Sequence, residues 1–443
     1  MTRCSPFVAG AAALALATPA AAKAPAAHPV HNAPGAKAHH QAIVVPDEPS
    51  PSGPVLTFED ALALAAGEQP SVAAYQREAI ASEQAAVAAR SLPDPQLQVG
   101  VLDYPVSGKF AFSPTKDNFT MYNIGIMREQ VRRSKREAAA AQLRAEAAVS
   151  REQASEQDLQ IRHDVMIAWI NAVEAAAKQR LLLRIIGDLR TGQKIMEAGV
   201  STGSSSPALA LEAQAEVALA QTQLAEAKGD EARARAQLAR WIGPAAQRPL
   251  PDAVPNLALP PSMPMDRMEG HPHIRVAEAQ EQAAERQVDV ARTRRRPDIT
   301  WSLMYSWRPD FGDYVSAQVS IPLQVNRRNL QDRKIAEAQA RTDAARLRVE
   351  DMRRDLAGQY GAALADYQGA DAQIDSLLKG AIPSLEASFK AAEARYSGGQ
   401  GTLELPLNIV RRYVETNVQL VEQEGKRARA AAEIIYLMGG KTR

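Results

Sequence analysis

The chain has 443 residues and a formal net charge of +1, with 52 Lys and Arg against 51 Asp and Glu. That balance excludes capture of nucleic acid by bulk charge and leaves the basic clusters at 132–136 and 292–296 as local features. Only 5% of residues are aromatic and alanine dominates long stretches, which favours closely packed helix surfaces over one bulky globular core.

The N-terminus, MTRCSPFVAGAAALALATPAAAKAP, reads as a secretory signal over residues 1–22. Arg3 supplies the positive end, Val8 to Ala17 the short apolar segment, and the small residues after Pro19 a cleavage region near Ala22. The apolar segment is too short to span a membrane as a helix. Cys4 is the only cysteine. It falls within the signal, so the mature chain is expected to carry no disulfide, thiol nucleophile or cysteine metal site.

Residues 23–55 form a Pro-, Ala- and His-rich arm without usable periodicity, expected to be flexible. His28, His31, His39 and His40 lie here, four of the seven histidines. Imidazoles in such a tract either bind divalent metal loosely or serve as ordinary linker groups. They are weak metal candidates and define no site.

Past the arm the chain repeats itself. QPSVAAYQREAIASEQAAVAARSLPDPQLQVGVLDYP at 69–105 is answered by HPHIRVAEAQEQAAERQVDVARTRRRPDITWSLMYSW at 271–307. Each is a charged, Ala-rich helix that stops at a proline, Pro93 or Pro297, and becomes a strand. MYNIGIM at 121–127 corresponds to VSAQVSI at 315–321. MEAGVSTGSSSPALALEAQ corresponds to RYSGGQGTLELPLNIV, with Gly199 matching Gly399 and Thr202 matching Thr402. The period is far too long for a solenoid unit. Two halves of one fold follow, residues 56–242 and 269–438, each reading helix, strand, strand, very long helix, turn, helix. A Pro-rich connection at 243–268 joins them, a short tail at 439–443 follows, and a last helix is expected from about 409 to 438.

Strands are expected near 96–104, 119–127, 298–306 and 314–323. They alternate apolar and polar residues, as Val315, Ala317, Val319 and Ile321 do against Tyr314, Ser316, Gln318 and Ser320. A soluble sandwich explains the alternation equally, but the lengths also suit tilted membrane strands. Four strands are too few to close a wide barrel, and an open sheet in lipid leaves backbone groups unpaired. Membrane strands here therefore require several chains in one barrel. Trp301, Tyr305, Trp307 and Tyr314 flank the second pair, as interface aromatics or as a packed cluster. Phe110 and Phe112 lie in the loop of the first pair, over the barrel or against lipid.

The helices expected at 132–198 and 329–381 span roughly 75–100 Å at their expected lengths. Charged residues interleave with Ala, Leu, Ile and Val at heptad-like spacing, favouring long coiled-coil packing. No motif supports catalysis. STGSSSP lacks a nucleophile-elbow context, there is no phosphate-binding loop, and His163, His271 and His273 are scattered without ligand spacing. No cofactor is expected.

The order SLPDPQLQVG, YNIGIMREQVRRSKREAAAAQ, KIMEAGVSTGSSSPALALEAQ, then RRRPDITWSLMYSW, VSAQVSIPLQVNRR and RYSGGQGTLELPLNIV resembles the TolC-like outer-membrane efflux protein family. The similarity covers about 56–438, and each motif is degenerate taken alone. The resemblance implies a mixed α and β homotrimer in the outer membrane. Four strands per protomer would build a 12-stranded transmembrane β-barrel, continued by a long periplasmic α-helical barrel. The implied partners are two further copies of the chain, a periplasmic membrane-fusion adaptor, an inner-membrane resistance-nodulation-division pump and outer-membrane lipid, with no nucleic acid.

It also implies that the turns carrying Gly199, Val200 and Thr202, and Gly399, Gln400 and Thr402, are periplasmic tips that meet the adaptor. Gly199 and Gly399 are expected to permit φ > 0 or close backbone approach, and Ser201 or Thr202 to cap the following helix. Glu404 and Asn408 are pore-mouth candidates, with Glu404 one residue early for the family's acidic ring and equally able to sit on the outer wall. Arg411 and Arg412 hold tip contacts through carboxylates or are solvated. The SLPDPQL and TMYNIGIMREQV segments are most similar to the heavy-metal cation efflux branch, with general drug or solvent efflux as the alternative cargo. An exported coiled-coil scaffold explains the helices and the signal but not the paired strands. A periplasmic adaptor is expected to have one helical hairpin rather than two.

Overall fold

The computed structural model describes residues 53–67, 69–203, 205–257, 259, 269–397 and 404–439. The signal with Cys4, and His28, His31, His39 and His40 of the arm, lie outside the described residues, as do Gly399, Gln400 and Thr402.

A short helix α1 (Phe58–Ala65) begins where Thr57 accepts a hydrogen bond from the Asp60 amide at 3.1 Å. The T-x-x-D pattern behind this cap marks it in the sequence. Helix α2 (Pro70–Arg90) leads into β1 (Gln96–Leu102) and β2 (Met121–Gln130), then α3 (Arg133–Thr202) and α4 (Pro207–Ile242). The second half supplies α5 (Pro272–Thr293), β3 (Ile299–Trp307), β4 (Tyr314–Ser320) and α6 (Gln331–Ser376). It ends in α7 (Ile382–Ser397) and α8 (Glu404–Leu437).

Helix α3 has 70 residues, about 105 Å of rise. Its buried stripe repeats every seventh residue: Ala140, Ala147, Ala154, Ile161, Ala168, Ala175, Leu182, Leu189 and Met196. Ala213, Ala220, Ala227 and Ala234 repeat likewise along α4, and Val349, Leu356, Ala363 and Ala370 along α6. A strict seven-residue period keeps one seam against its neighbours only if the helices wind left-handedly. Alanine at those positions lets the backbones approach closely. Thus α3 packs along α2 and α5 in one portion and along α4 and α8 in another.

The second long helix does not end near Ala381. It passes through one π-helical turn, Leu377–Ala381, and continues as α7. Pro383 accounts for the irregularity, because proline lacks an N–H and its ring clashes with the carbonyl one turn back.

The main core surrounds the middle of α3, where Trp169 is buried and its indole donates to the Leu56 carbonyl at 3.0 Å. The start of the Pro-rich connection belongs to this core rather than spanning open solvent. Leu250 and Val254 are buried beside Leu238, Ile274 and Leu437. Arg235 donates to the carbonyls of Ala246 and Arg248 at 2.6 and 2.9 Å, pinning the connection to α4.

Candidate functional site: the two-faced sheet and the long-helix tip

The four strands form one antiparallel sheet in the order β1-β2-β3-β4. The two halves of the chain meet at β2 and β3. The register aligns like with like. Leu97, Ile126, Leu303 and Ala317 form one cross-strand row, and Val99, Ile124, Tyr305 and Val315 the next. All the large side chains of these rows are exposed, Val99 at 73% and Val315 at 70%. Fully burying each such side chain would gain roughly 1.5–3 kcal/mol, so the face is unsuited to water and suited to hydrocarbon.

The opposite face carries the rows Gln98, Gly125, Met304, Ser316 and Gly100, Asn123, Ser306, Tyr314. At its centre Ser306 donates to the Asn123 amide oxygen at 2.6 Å, with both residues buried. Gly125 is required beside them, because a Cβ there would lie 2.8 Å from the Leu303 carbonyl oxygen. Within the described residues the outer edges of β1 and β4 have no strand partner. Such edges present unmatched N–H and C=O groups, ready to pair with another chain.

At one end of the sheet a clamp joins the two loops. Arg308 donates to the Gly312 carbonyl at 2.7 Å and to the Asn118 carbonyl at 3.1 Å, with its guanidinium 4.2 Å from the Tyr314 ring. Trp307 and Tyr122 pack across the β2–β3 pair with ring centres 5.3 Å apart. Phe110 and Phe112 are both exposed, with Lys109 5.6 Å from the Phe110 ring. At the other end, the buried Asp298 carboxylate accepts from the Arg132 amide at 2.9 Å and binds Lys135, tying β3 to α3.

The turn between α3 and α4 corrects where α3 ends and which residue caps α4. Gly199 and Val200 are helical, in the last turn of α3, and the left-handed residue is Gly203, at φ 74°. Gly203 and Ser205 close the turn, donating to Val200 at 3.3 Å and to Gly199 at 3.1 Å. Neither Ser201 nor Thr202 caps α4. Their hydroxyls donate back to Ala198 and Gly199, at 2.7 and 3.1 Å, while Ser206 accepts from the Leu209 amide at 3.3 Å. The helix runs about one turn further than the glycine suggests, because Gly at a single helical position costs only about 1 kcal/mol.

Glu404 begins α8, and its side chain is outside the described residues. Asn408 is exposed and accepts from Arg411 at 3.1 Å. Arg411 also lies 3.6 Å from Glu216 of α4, a cross-helix carboxylate contact. Arg412 is exposed.

The three histidines that look scattered in sequence converge on Tyr436. His163 lies 2.7 Å from Glu433, and its ring centre lies 4.6 Å from that of Tyr436. His273 contacts Glu156 and, at 2.6 Å, the Tyr436 hydroxyl. His271 is buried and caps α5, its Nδ1 accepting from the His273 amide at 3.3 Å while Nε2 faces the Tyr436 carbonyl at 3.3 Å. Burial and the adjacent His273 push the His271 imidazole down to about 4. Burial, helped by Glu433, Glu156 and Asp164, pushes the Tyr436 phenol up to about 12. Sequence separation hides this cluster, since its members come from α3, α5 and α8. Among the described residues no group of three or more His, Cys, Asp or Glu side chains is arranged to hold a metal ion. The cluster is a clamp between the two halves. Lys178 with Glu422 at 2.7 Å, and Arg429 with Glu174, extend it along α3 and α8.

Residues 266–440 match the family described as Outer membrane efflux protein. The cobalt-zinc-cadmium resistance protein CzcC of Cupriavidus metallidurans is 26% identical over 404 residues, covering 89% of this chain and 93% of CzcC. The nickel-cobalt-cadmium resistance protein NccC of Alcaligenes xylosoxydans xylosoxydans is 29% identical over 220 residues, covering 47% of this chain and only 50% of NccC. Among solved structures, CusC superposes with a TM-score of 0.72 at 17% identity, over 87% of this chain and 93% of CusC. That last likeness concerns the fold alone. The two-faced sheet continued by heptad-striped helices is thus the fold this chain shares with CusC, and its second half matches the outer-membrane efflux protein family.

Proposed function

We propose that the mature chain is the outer-membrane exit duct of a tripartite efflux system, assembled from three copies. The observation that carries this reading is the sheet with one apolar face, one polar face and two unpaired edges. Pairing β1 of one copy with β4 of the next satisfies every edge and closes a barrel of twelve strands. The apolar rows then meet lipid and the Asn123–Ser306 face meets water. The helices prolong the duct, and an adaptor and a resistance-nodulation-division pump supply the cargo. Gly199, Val200 and Thr202, with Gly399, Gln400 and Thr402, are the proposed adaptor contacts, and Glu404 and Asn408 the proposed pore-mouth residues.

Heavy-metal cations are the proposed cargo. The support is that two curated relatives are named for resistance to cobalt, cadmium, zinc or nickel. The channel need not ligate the ion, and selectivity then rests with the pump. The test is growth of a host deleted for this chain, with and without the gene restored. Sensitivity to cobalt, zinc or cadmium that restoration reverses supports the cargo. Sensitivity confined to organic drugs or solvents contradicts it and leaves the duct reading in place.

A further inference from the structure

The apolar row of β4 does not stop with the strand. Ile321, Leu323 and Val325 continue it with side chains 50%, 83% and 91% exposed. Two residues beyond Val325 the chain changes to Arg327 and Arg328, both exposed. This segment is anchored on both sides to the end of α5. Gln324 donates to the Arg294 carbonyl at 2.8 Å, and Arg295 pairs with Asp332 at 2.8 Å. Arg294 and Arg296 are exposed on the end of α5 to which the segment carrying Arg327 and Arg328 is thus tied.

Nearby cations are matched to carboxylates: Arg292 to Asp289, Lys135 to Asp298, and Lys334 to Glu337. Arg294, Arg296, Arg327 and Arg328 enter no ion pair among the described residues. Four unmatched guanidinium groups thus stand where a hydrocarbon-suited surface ends. Guanidinium binds phosphate oxygens in bidentate geometry and is held at the headgroup level by adjoining apolar side chains.

We propose that Arg294, Arg296, Arg327 and Arg328 form a binding site for the phosphate headgroup of an anionic phospholipid in the periplasmic leaflet, with Leu323 and Val325 against its acyl chains. This rests on the membrane-barrel reading, and it adds a lipid specificity that the barrel alone does not require.

The test uses detergent-purified mature trimers in native mass spectrometry, titrated with phosphatidylglycerol and with phosphatidylcholine. Each arginine near an anionic lipid surface is worth about a five-fold preference, so Arg327 and Arg328 together give roughly 25-fold. The wild type is expected to retain phosphatidylglycerol preferentially, and the preference to fall as salt rises. The double variant Arg327→Gln with Arg328→Gln is expected to lose most of it, and the Arg327→Lys with Arg328→Lys variant to keep most of it.

Equal retention of both lipids by the wild type, or a preference indifferent to salt, overturns the proposal even if a variant fails to fold. So does a glutamine variant that keeps the wild-type preference. If that variant loses trimers while the surviving trimers keep their preference, the arginines pair with a neighbouring copy and the lipid site is wrong. Failure of the barrel reading is separable, because such a chain neither inserts into vesicles of either composition nor conducts.

Discussion

The sheet and the long helices are built for different solvents. In the helices every seventh side chain along α3 is buried against another helix, and the outward positions are charged. In the sheet the apolar rows have no protein cover, and Val315 and Val99 are more exposed than not. One region carries its core within the chain and the other borrows it from its surroundings. Burial alone would misread the sheet as a defect, while burial together with register marks one whole face as suited to hydrocarbon, the basis of the membrane reading proposed above.

The sharpest way to break this contrast is to place a charge on each face in turn. Val315→Arg is expected to destabilise the inserted protein by about 2–4 kcal/mol. Ser316→Arg, one residue away on the opposite face, is expected to cost less than about 1 kcal/mol. Urea titration of the vesicle-inserted protein reads both, and equal losses would contradict the assignment of faces.

The helical region should respond to acid where the sheet does not. Protonating His271 turns the Nδ1 that accepts from the His273 amide into a donor and removes the cap of α5. Its folded value is depressed to about 4, against the ordinary 6.5. The unfolded chain therefore binds the proton first, and stability present above pH 6.5 is lost as pH falls toward 4. The expected loss is on the order of 3 kcal/mol, at about 1.36 kcal/mol per pKa unit. Proteolysis between α4 and α5 followed against pH should show it, and His271→Asn should flatten the dependence while keeping a capping acceptor. An unchanged slope in that variant would remove His271 from the account.

A smaller effect tests the corrected turn. Ser206→Ala should cost about 1 kcal/mol at the start of α4, whereas Ser201→Ala should cost only a few tenths. Hydrogen exchange at the Leu209 amide reads the difference, and the reverse order would restore the earlier placement of the cap.

Much of the fold is legible in the sequence because its signals are local. Alternation located all four strands to within a few residues, and the absence of proline marked α3. The features missed depend on tertiary context. The helix past Ala381 survives Pro383 through a π turn, which no propensity encodes. Gly199 suggested a helix end that Gly203 provides, because only φ separates the two. His163, His271 and His273 lie far apart in sequence, so their meeting at Tyr436 had no local sign. Of the candidate tip residues, Gly199, Val200 and Thr202 sit in the last turn of α3, and the pore-mouth candidate Asn408 lies on α8 beside Arg411.

The measurement that tests the central claim most directly is single-channel conductance of the mature protein in planar bilayers, with the mass of the inserted species determined from the same preparation. Three chains per particle and stable conductance steps are the predicted result. A monomer that stays in solution and never inserts would contradict it, leaving the exposed rows of the sheet to be covered by some other protein.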